Sequence, residues 1–186
     1  LPGEENYYGV VCDEILRFLK FTNGHAFVLF TSYGMLRTCA EELQNEIRDL
    51  GLKLLVHGGE LSRTALLQEF KESDVPSVLF GATSFWTGVD VPGEALSNVM
   101  ITKLPFAVPS HPLTEARLER IRLEGGEPFR DYSIPDAVLK FRQGVGRLIR
   151  SKTDQGIIVV LDRRIVTKAY GARFLDSIPP CPVEYF

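Results

Sequence analysis

The sequence predicts an α/β fold in which a mostly parallel, doubly wound sheet lies between two layers of helices. Three observations carry this. Short apolar runs alternate with longer amphipathic segments along the whole chain, which is the pattern of βαβ crossovers. The run His-Ala-Phe-Val-Leu-Phe-Thr at residues 25–31 is apolar almost throughout, as a strand buried on both faces of a parallel sheet must be. The polar stretches with chemical potential, Thr31-Ser32-Tyr33, residues 82–92 and Asp162-Arg163-Arg164, all follow such runs, and in doubly wound sheets ligands gather at the carboxyl ends of the strands.

In order, residues 6–20 read as a helix, with Val10, Ile15, Phe18 and Leu19 set among Asp13, Glu14 and Arg17, and the turn Thr22-Asn23-Gly24 ends it. After the strand at 25–31, Ser32 is placed to cap a second helix whose apolar stripe is Leu36, Cys39, Leu43, Ile47 and Leu50, with Gly51 as its stop. A strand at 52–56 and a turn at His57-Gly58-Gly59 lead to a helix over 61–72 with Leu66, Leu67 and Phe70 inward. Strands follow at 77–81 and 98–104, then an irregular connection over 105–112, a helix over 113–123 carrying Arg117, Arg120 and Arg122, and a loop at 125–132. A helix over 134–150, capped by Ser133 and with Pro135 in its first turn, precedes the most apolar strand, 156–161. A short helix near 167–176 and an extended, proline-rich tail over 178–186 close the chain.

The 186 residues contain no linker, repeat or low-complexity stretch and suffice for one domain with an ordinary core. No run reaches the roughly 18 to 20 apolar residues needed to span a bilayer, and no signal pattern opens the chain, so a soluble, cytoplasmic protein without membrane association is expected. Cys12, Cys39 and Cys181 are too few and too scattered for a disulfide framework or a metal site and read as free, mostly buried thiols. The net charge of −3 hides an asymmetry. Residues 1–100 carry 7 Lys and Arg against 14 Asp and Glu, and residues 101–186 carry 14 against 10, so any nucleic-acid or phosphate surface should be local and built by the second half.

The stretch Gln143-Gly144-Val145-Gly146-Arg147-Leu148-Ile149-Arg150 stands out. On a continuous helix Gln143, Arg147 and Arg150 share one face, opposite Val138, Phe141, Val145, Leu148 and Ile149. Two guanidinium forks on one rigid face suit bidentate contact with phosphate oxygens. Gly144 and Gly146 each cost a helix about 1 kcal/mol relative to alanine, which implies that another backbone or a ligand comes close. A solvated, salt-bridged face is the plainer alternative.

The pattern Gln-x-x-Gly-Arg-x-x-Arg resembles motif VI of superfamily 2 helicases. Read with Lys103-Leu104-Pro105-Phe106, the stretch Ser84-Phe85-Trp86-Thr87-Gly88-Val89-Asp90-Val91-Pro92-Gly93 is similar to motif V of the DinG branch of XPD-like helicases, and residues 28–36 look like motif IV. Taken alone, Phe85 and Trp86 would sooner plug a loop than stack on bases. Thr87 stands where relatives commonly place glutamate, which leaves open how motif V couples to a neighbouring domain.

The resemblance covers nearly the whole chain. It implies that residues 1–186 form a three-layer RecA-like domain, the second of a helicase motor. It implies that Gln143, Arg147 and Arg150 reach the γ-phosphate of ATP, that Gly88 and Asp90 help couple nucleotide to nucleic acid, and that Thr31, Ser32, Tyr33, Thr83 and Ser84 lie along a single-stranded DNA track. The chain has no Gly-x-x-x-x-Gly-Lys-Ser/Thr loop and no Asp-Glu-x-His box, the elements that cradle phosphate and hold magnesium. ATP and Mg2+ would therefore be shared with a first RecA-like domain, which in this family can also carry an iron–sulfur cluster. The expectation is the C-terminal half of an ATP-dependent DNA helicase, inactive alone. The alternatives are a helicase-derived module that binds nucleic acid or protein without catalysis, and an independent dinucleotide enzyme, against which stands Thr-Ser-Tyr-Gly where Gly-x-Gly-x-x-Gly would be needed.

Overall fold

The computed structural model describes residues 6–86, 96–146, 148 and 155–186. Five strands form one sheet: β1 (Ala26–Phe30), β2 (Lys53–Val56), β3 (Ser77–Ala82), β4 (Asn98–Ile101) and β5 (Ile157–Val160). Their order is β2-β3-β1-β4-β5, and every pairing is parallel, with Ala26 opposite both Val78 and Asn98. The helices are α1 (Tyr7–Thr22), α2 (Tyr33–Asp49), α3 (Arg63–Glu72), α4 (Pro112–Leu123), α5 (Ile134–Val145), α6 (Arg164–Thr167) and α7 (Gly171–Leu175).

Side chains alternate across a strand, so the sheet sorts its core into two layers. Ala26, Val28 and Phe30 of β1, with Val78 and Phe80 of β3 and Met100 of β4, pack on α1 and α2 through Ile15, Leu19, Leu36 and Ile47. Phe27 and Leu29, with Leu79, Val99 and Ile101, face the opposite side and meet Leu66 and Phe70 of α3, Phe141 and Val145 of α5, and Phe174 of α7. All of β1, β3 and β4 is buried. The three-layer doubly wound architecture expected from the sequence is the one observed.

Several local expectations are corrected. Ser133 does not cap a helix: it has helical φ and ψ, makes no capping hydrogen bond, and ends a π-helical turn (Phe129–Ser133) that runs directly into α5. The capping falls to Glu127, whose carboxylate accepts from the Phe129 and Arg130 N–H groups at 3.2 and 2.6 Å, while Asp131 accepts from the Glu127 N–H at 2.7 Å. This reciprocal arrangement satisfies the donors that a helix start leaves over. Strand β4 ends at Ile101, short of the expected 98–104; the Thr102 N–H makes the last ladder bond to the Leu29 carbonyl, and its hydroxyl donates to the same oxygen. The final helix is two, broken at Lys168, whose backbone is extended. β5, the most apolar run, lies at the sheet edge, where only Val159 is fully buried.

Two of the three cysteines, Cys12 and Cys39, are buried, and Cys181 is exposed. No helix among the described residues is long and apolar enough to cross a membrane.

Candidate functional site

Strand β1 delivers Thr31, Ser32 and Tyr33 to the carboxyl edge of the sheet. Ser32 is extended and accepts from the Met35 N–H at 3.4 Å, so its hydroxyl caps α2 as expected, and Tyr33 opens that helix. Strand β3 delivers Thr83 and Ser84, which begin a 3-10 helical turn (Thr83–Phe85). β2, the edge strand beyond β3, delivers His57, a residue the sequence showed only as part of a turn.

His57 joins the three strand ends. Its Nδ1 accepts from the Ala82 N–H at 3.4 Å, and its Nε2 stands 3.2 Å from the Tyr33 hydroxyl and 3.4 Å from the Ser84 hydroxyl. Its ring meets Tyr33 at 5.1 Å and the edge of Phe85 at 4.6 Å. Gly58, at φ +90°, lets the tyrosine lie close, since a Cβ there would sit 3.1 Å from the ring. Burial, and then the nearby positive charge of Arg63, hold the His57 pKa below the ordinary imidazole value.

A pH dependence follows, with its sign fixed by linkage. Below about pH 6.5 the unfolded chain protonates His57 while the folded ring still resists, so stability falls until the lower folded pKa is passed and then levels off. The His57→Gln variant should therefore lose less Tm than the parent between about pH 7.5 and 5.5. An equal loss would remove His57 as the source.

Phe85 and Trp86 are core residues. Trp86 is 3 % exposed, and its indole N–H donates to the Phe30 carbonyl at 2.8 Å. A Cβ on Gly144 would stand 3.1 Å from the Trp86 ring and 3.0 Å from Leu29. The close approach that Gly144 signalled is thus made by two side chains, an indole and a leucine, and not by the backbone or ligand expected. Gly146 is the C-cap of α5 rather than a mid-helix residue. The described helix ends at Val145, short of the residue 150 expected from the sequence, and the face expected to join Gln143 to Arg147 and Arg150 falls outside the described residues. Gln143 is exposed near that end, and Phe141, Val145 and Leu148 are buried as expected. Arg147, Arg150, Gly88 and Asp90 lie outside the described residues.

At the other end of the same edge, Asp162 is wholly buried and accepts from the Leu104 N–H at 2.9 Å and from Arg164 through several contacts of 2.6–3.1 Å. The sequence marked Asp162-Arg163-Arg164 as chemically suggestive. In the fold Asp162 and Arg164 are occupied with each other and with the chain after β4, as a buried ion pair must be. Lys103 lies over the rings of Tyr7 and Tyr8 at 4.9 and 5.6 Å, and burial, then the Arg164 guanidinium, lower its pKa.

The all-parallel sheet, helices on both faces and polar side chains collected along one carboxyl edge define a domain of the RecA-like class. Its match in solved structures is consistent: an XPD helicase aligns with a TM-score of 0.69 at 19 % identity, over 93 % of this chain and 31 % of that one. The family model described as helicase C-terminal domain matches residues 15–181, and the chain belongs to that family. Among relatives, the ATP-dependent DNA helicase YoaA of Haemophilus influenzae is 47 % identical over 165 residues, 89 % of this chain and 25 % of that protein. The 3'-5' exonuclease DinG of Bacillus subtilis is 46 % identical over 160 residues, 84 % of this chain and 17 % of that protein. The DinG and XPD-like resemblance read from the motifs therefore holds. The chain spans a quarter or less of the length of these relatives.

Proposed function

We propose that this chain is the C-terminal motor domain of an ATP-dependent DNA helicase, completing an ATP site with another RecA-like domain and contacting single-stranded DNA. The observation that carries the reading is the meeting of Tyr33, Ser84 and His57 at the carboxyl edge of the sheet, beside the N-terminus of α2, in a chain of the helicase C-terminal domain family. Thr31, Ser32 and Thr83 extend that edge and complete the proposed DNA track.

The described residues contribute one side chain directed by the motif to ATP, the exposed Gln143, and no group of three His, Cys, Asp or Glu that could hold a metal ion. Magnesium and the β-phosphate are assigned to the partner domain, because the sequence has neither the phosphate-cradling loop nor the Asp-Glu-x-His box. Arg147 and Arg150 are assigned to the γ-phosphate, with Gly88 and Asp90 between nucleotide and DNA. ATP bound at such a cleft supplies the phosphoryl transfer; this chain supplies charge and shape complementary to it.

The pure 186-residue chain should fold yet show no ATPase above background with or without DNA, since its sequence contains no phosphate-cradling loop. Its affinity for single-stranded DNA should be weak and should fall steeply between low and moderate salt, because phosphate contact dominates it. DNA-stimulated hydrolysis by this chain alone would overturn the half-motor assignment. Tight, salt-insensitive binding would overturn the phosphate track.

A further inference from the structure

We infer that His57 is a positioning residue for the DNA backbone: a neutral imidazole held in one tautomer, it turns the hydroxyl protons of Tyr33 and Ser84 outward as donors to a phosphate. The inference rests on the proposed DNA-contacting role of this edge and deepens it.

The proton inventory leads there. The Ala82 amide can only donate, so the Nδ1 facing it at 3.4 Å must be the bare nitrogen of the ring. A neutral histidine with Nδ1 bare carries its proton on Nε2. That N–H points between the Tyr33 oxygen at 3.2 Å and the Ser84 oxygen at 3.4 Å, so each hydroxyl accepts. A hydroxyl that accepts from within keeps its own proton for a partner elsewhere. Tyr33 is 39 % exposed and Ser84 half-buried, so those protons face the surface of the carboxyl edge. Two donors side by side match the non-bridging oxygens of a phosphodiester and carry no information about base identity.

The neighbourhood keeps the ring in this state. The charged group facing His57 from α3 is Arg63, whose guanidinium lies 5.7 Å over the Phe85 ring against which the imidazole packs. The Tyr33 phenol faces it from α2 and the Ser84 hydroxyl from the turn after β3. Burial and the Arg63 charge both disfavour the imidazolium, in keeping with the lowered pKa. Protonation would place a second donor against the Ala82 amide and break the one contact that defines the tautomer.

The test is the affinity of the 186-residue chain for a fluorescein-labelled oligothymidylate, read by anisotropy, with a thermal melt of each variant as a check on the fold. His57→Ala should weaken binding about tenfold. Tyr33→Phe and Ser84→Ala should each weaken it by a smaller factor in the parent, and neither should matter further once His57 is alanine, which is the signature of side chains acting as one unit. His57→Gln, whose amide offers one acceptor and a donor, should restore most of the loss. Additive losses from the three alanine and phenylalanine changes would overturn the inference, as would a folded His57→Gln variant no better than His57→Ala. Should His57→Ala unfold, the same reading is taken from Tyr33→Phe and Ser84→Ala in the His57→Gln background. A parent chain with no affinity for the oligonucleotide would instead sink the DNA-contacting function itself.

Discussion

Alanine at Arg150 in the full-length protein is expected to lower DNA-stimulated kcat by roughly 10³–10⁵-fold while the KM for ATP moves far less. Charge develops on the transferred phosphoryl group, and a guanidinium brought across the cleft neutralises it only at that moment, so the loss falls on turnover. Arg150→Lys should recover little, because a point charge on a flexible stem does not reproduce the planar fork. Arg147→Ala should behave alike. Arg142, exposed on α5 one turn before its C-cap, is the control, and its alanine variant should be mild. A crippled Arg142 variant alongside silent Arg147 and Arg150 variants would transfer the role to another part of the helix. Steady-state ATPase assays with saturating single-stranded DNA decide between these outcomes.

Trp86→Ala should destabilise the domain by about 3–5 kcal/mol, the range for deleting a large buried aromatic side chain. Against a total of roughly 5–15 kcal/mol for an ordinary domain, that change approaches unfolding. The indole packs against Gly144, which Leu29 also approaches, and satisfies the Phe30 carbonyl. Trp86→Phe separates the two contributions: the ring volume largely remains while the carbonyl loses its donor, for a cost of about 1–3 kcal/mol. Urea midpoints of the three proteins measure both steps. If Trp86→Ala shifted the midpoint no more than a surface substitution, the indole would not be the plug that its burial indicates.

Periodicity made the strands and most helices readable, because burial on two faces leaves no room for polar residues in β1, β3 and β4. It failed where backbone geometry departs from the regular. The π-helical turn before α5 adds a residue to the period, so residues 129–132 read as loop and Ser133 read as a cap. Gly144 announced a close neighbour correctly, but a glycine does not say what approaches it, and the indole comes from a loop nearly sixty residues earlier. Tyr33 and Ser84 were legible as polar residues after strands. His57 was not, since its meaning arises only when three strand ends distant in sequence converge on one ring. Asp162 was marked by its place after a strand, but its role was not, since its partners are a following arginine and the backbone after a different strand.

The strand order carries a kinetic consequence. β2 with β3, and β4 with β5, are consecutive in the chain and adjacent in the sheet, whereas β1 pairs only with β3 and β4. Of the five strands the central one is made first and is among the last to be enclosed, since its ladder with β4 waits until residues 98–101 have been made. Loop closure over such separations precedes any reward from pairing, which puts this topology among the slow folders. Until the two wings dock, Ala-Phe-Val-Leu-Phe stands as an uncovered apolar strand with both edges open, the kind of segment that chaperones hold and that aggregates when they do not.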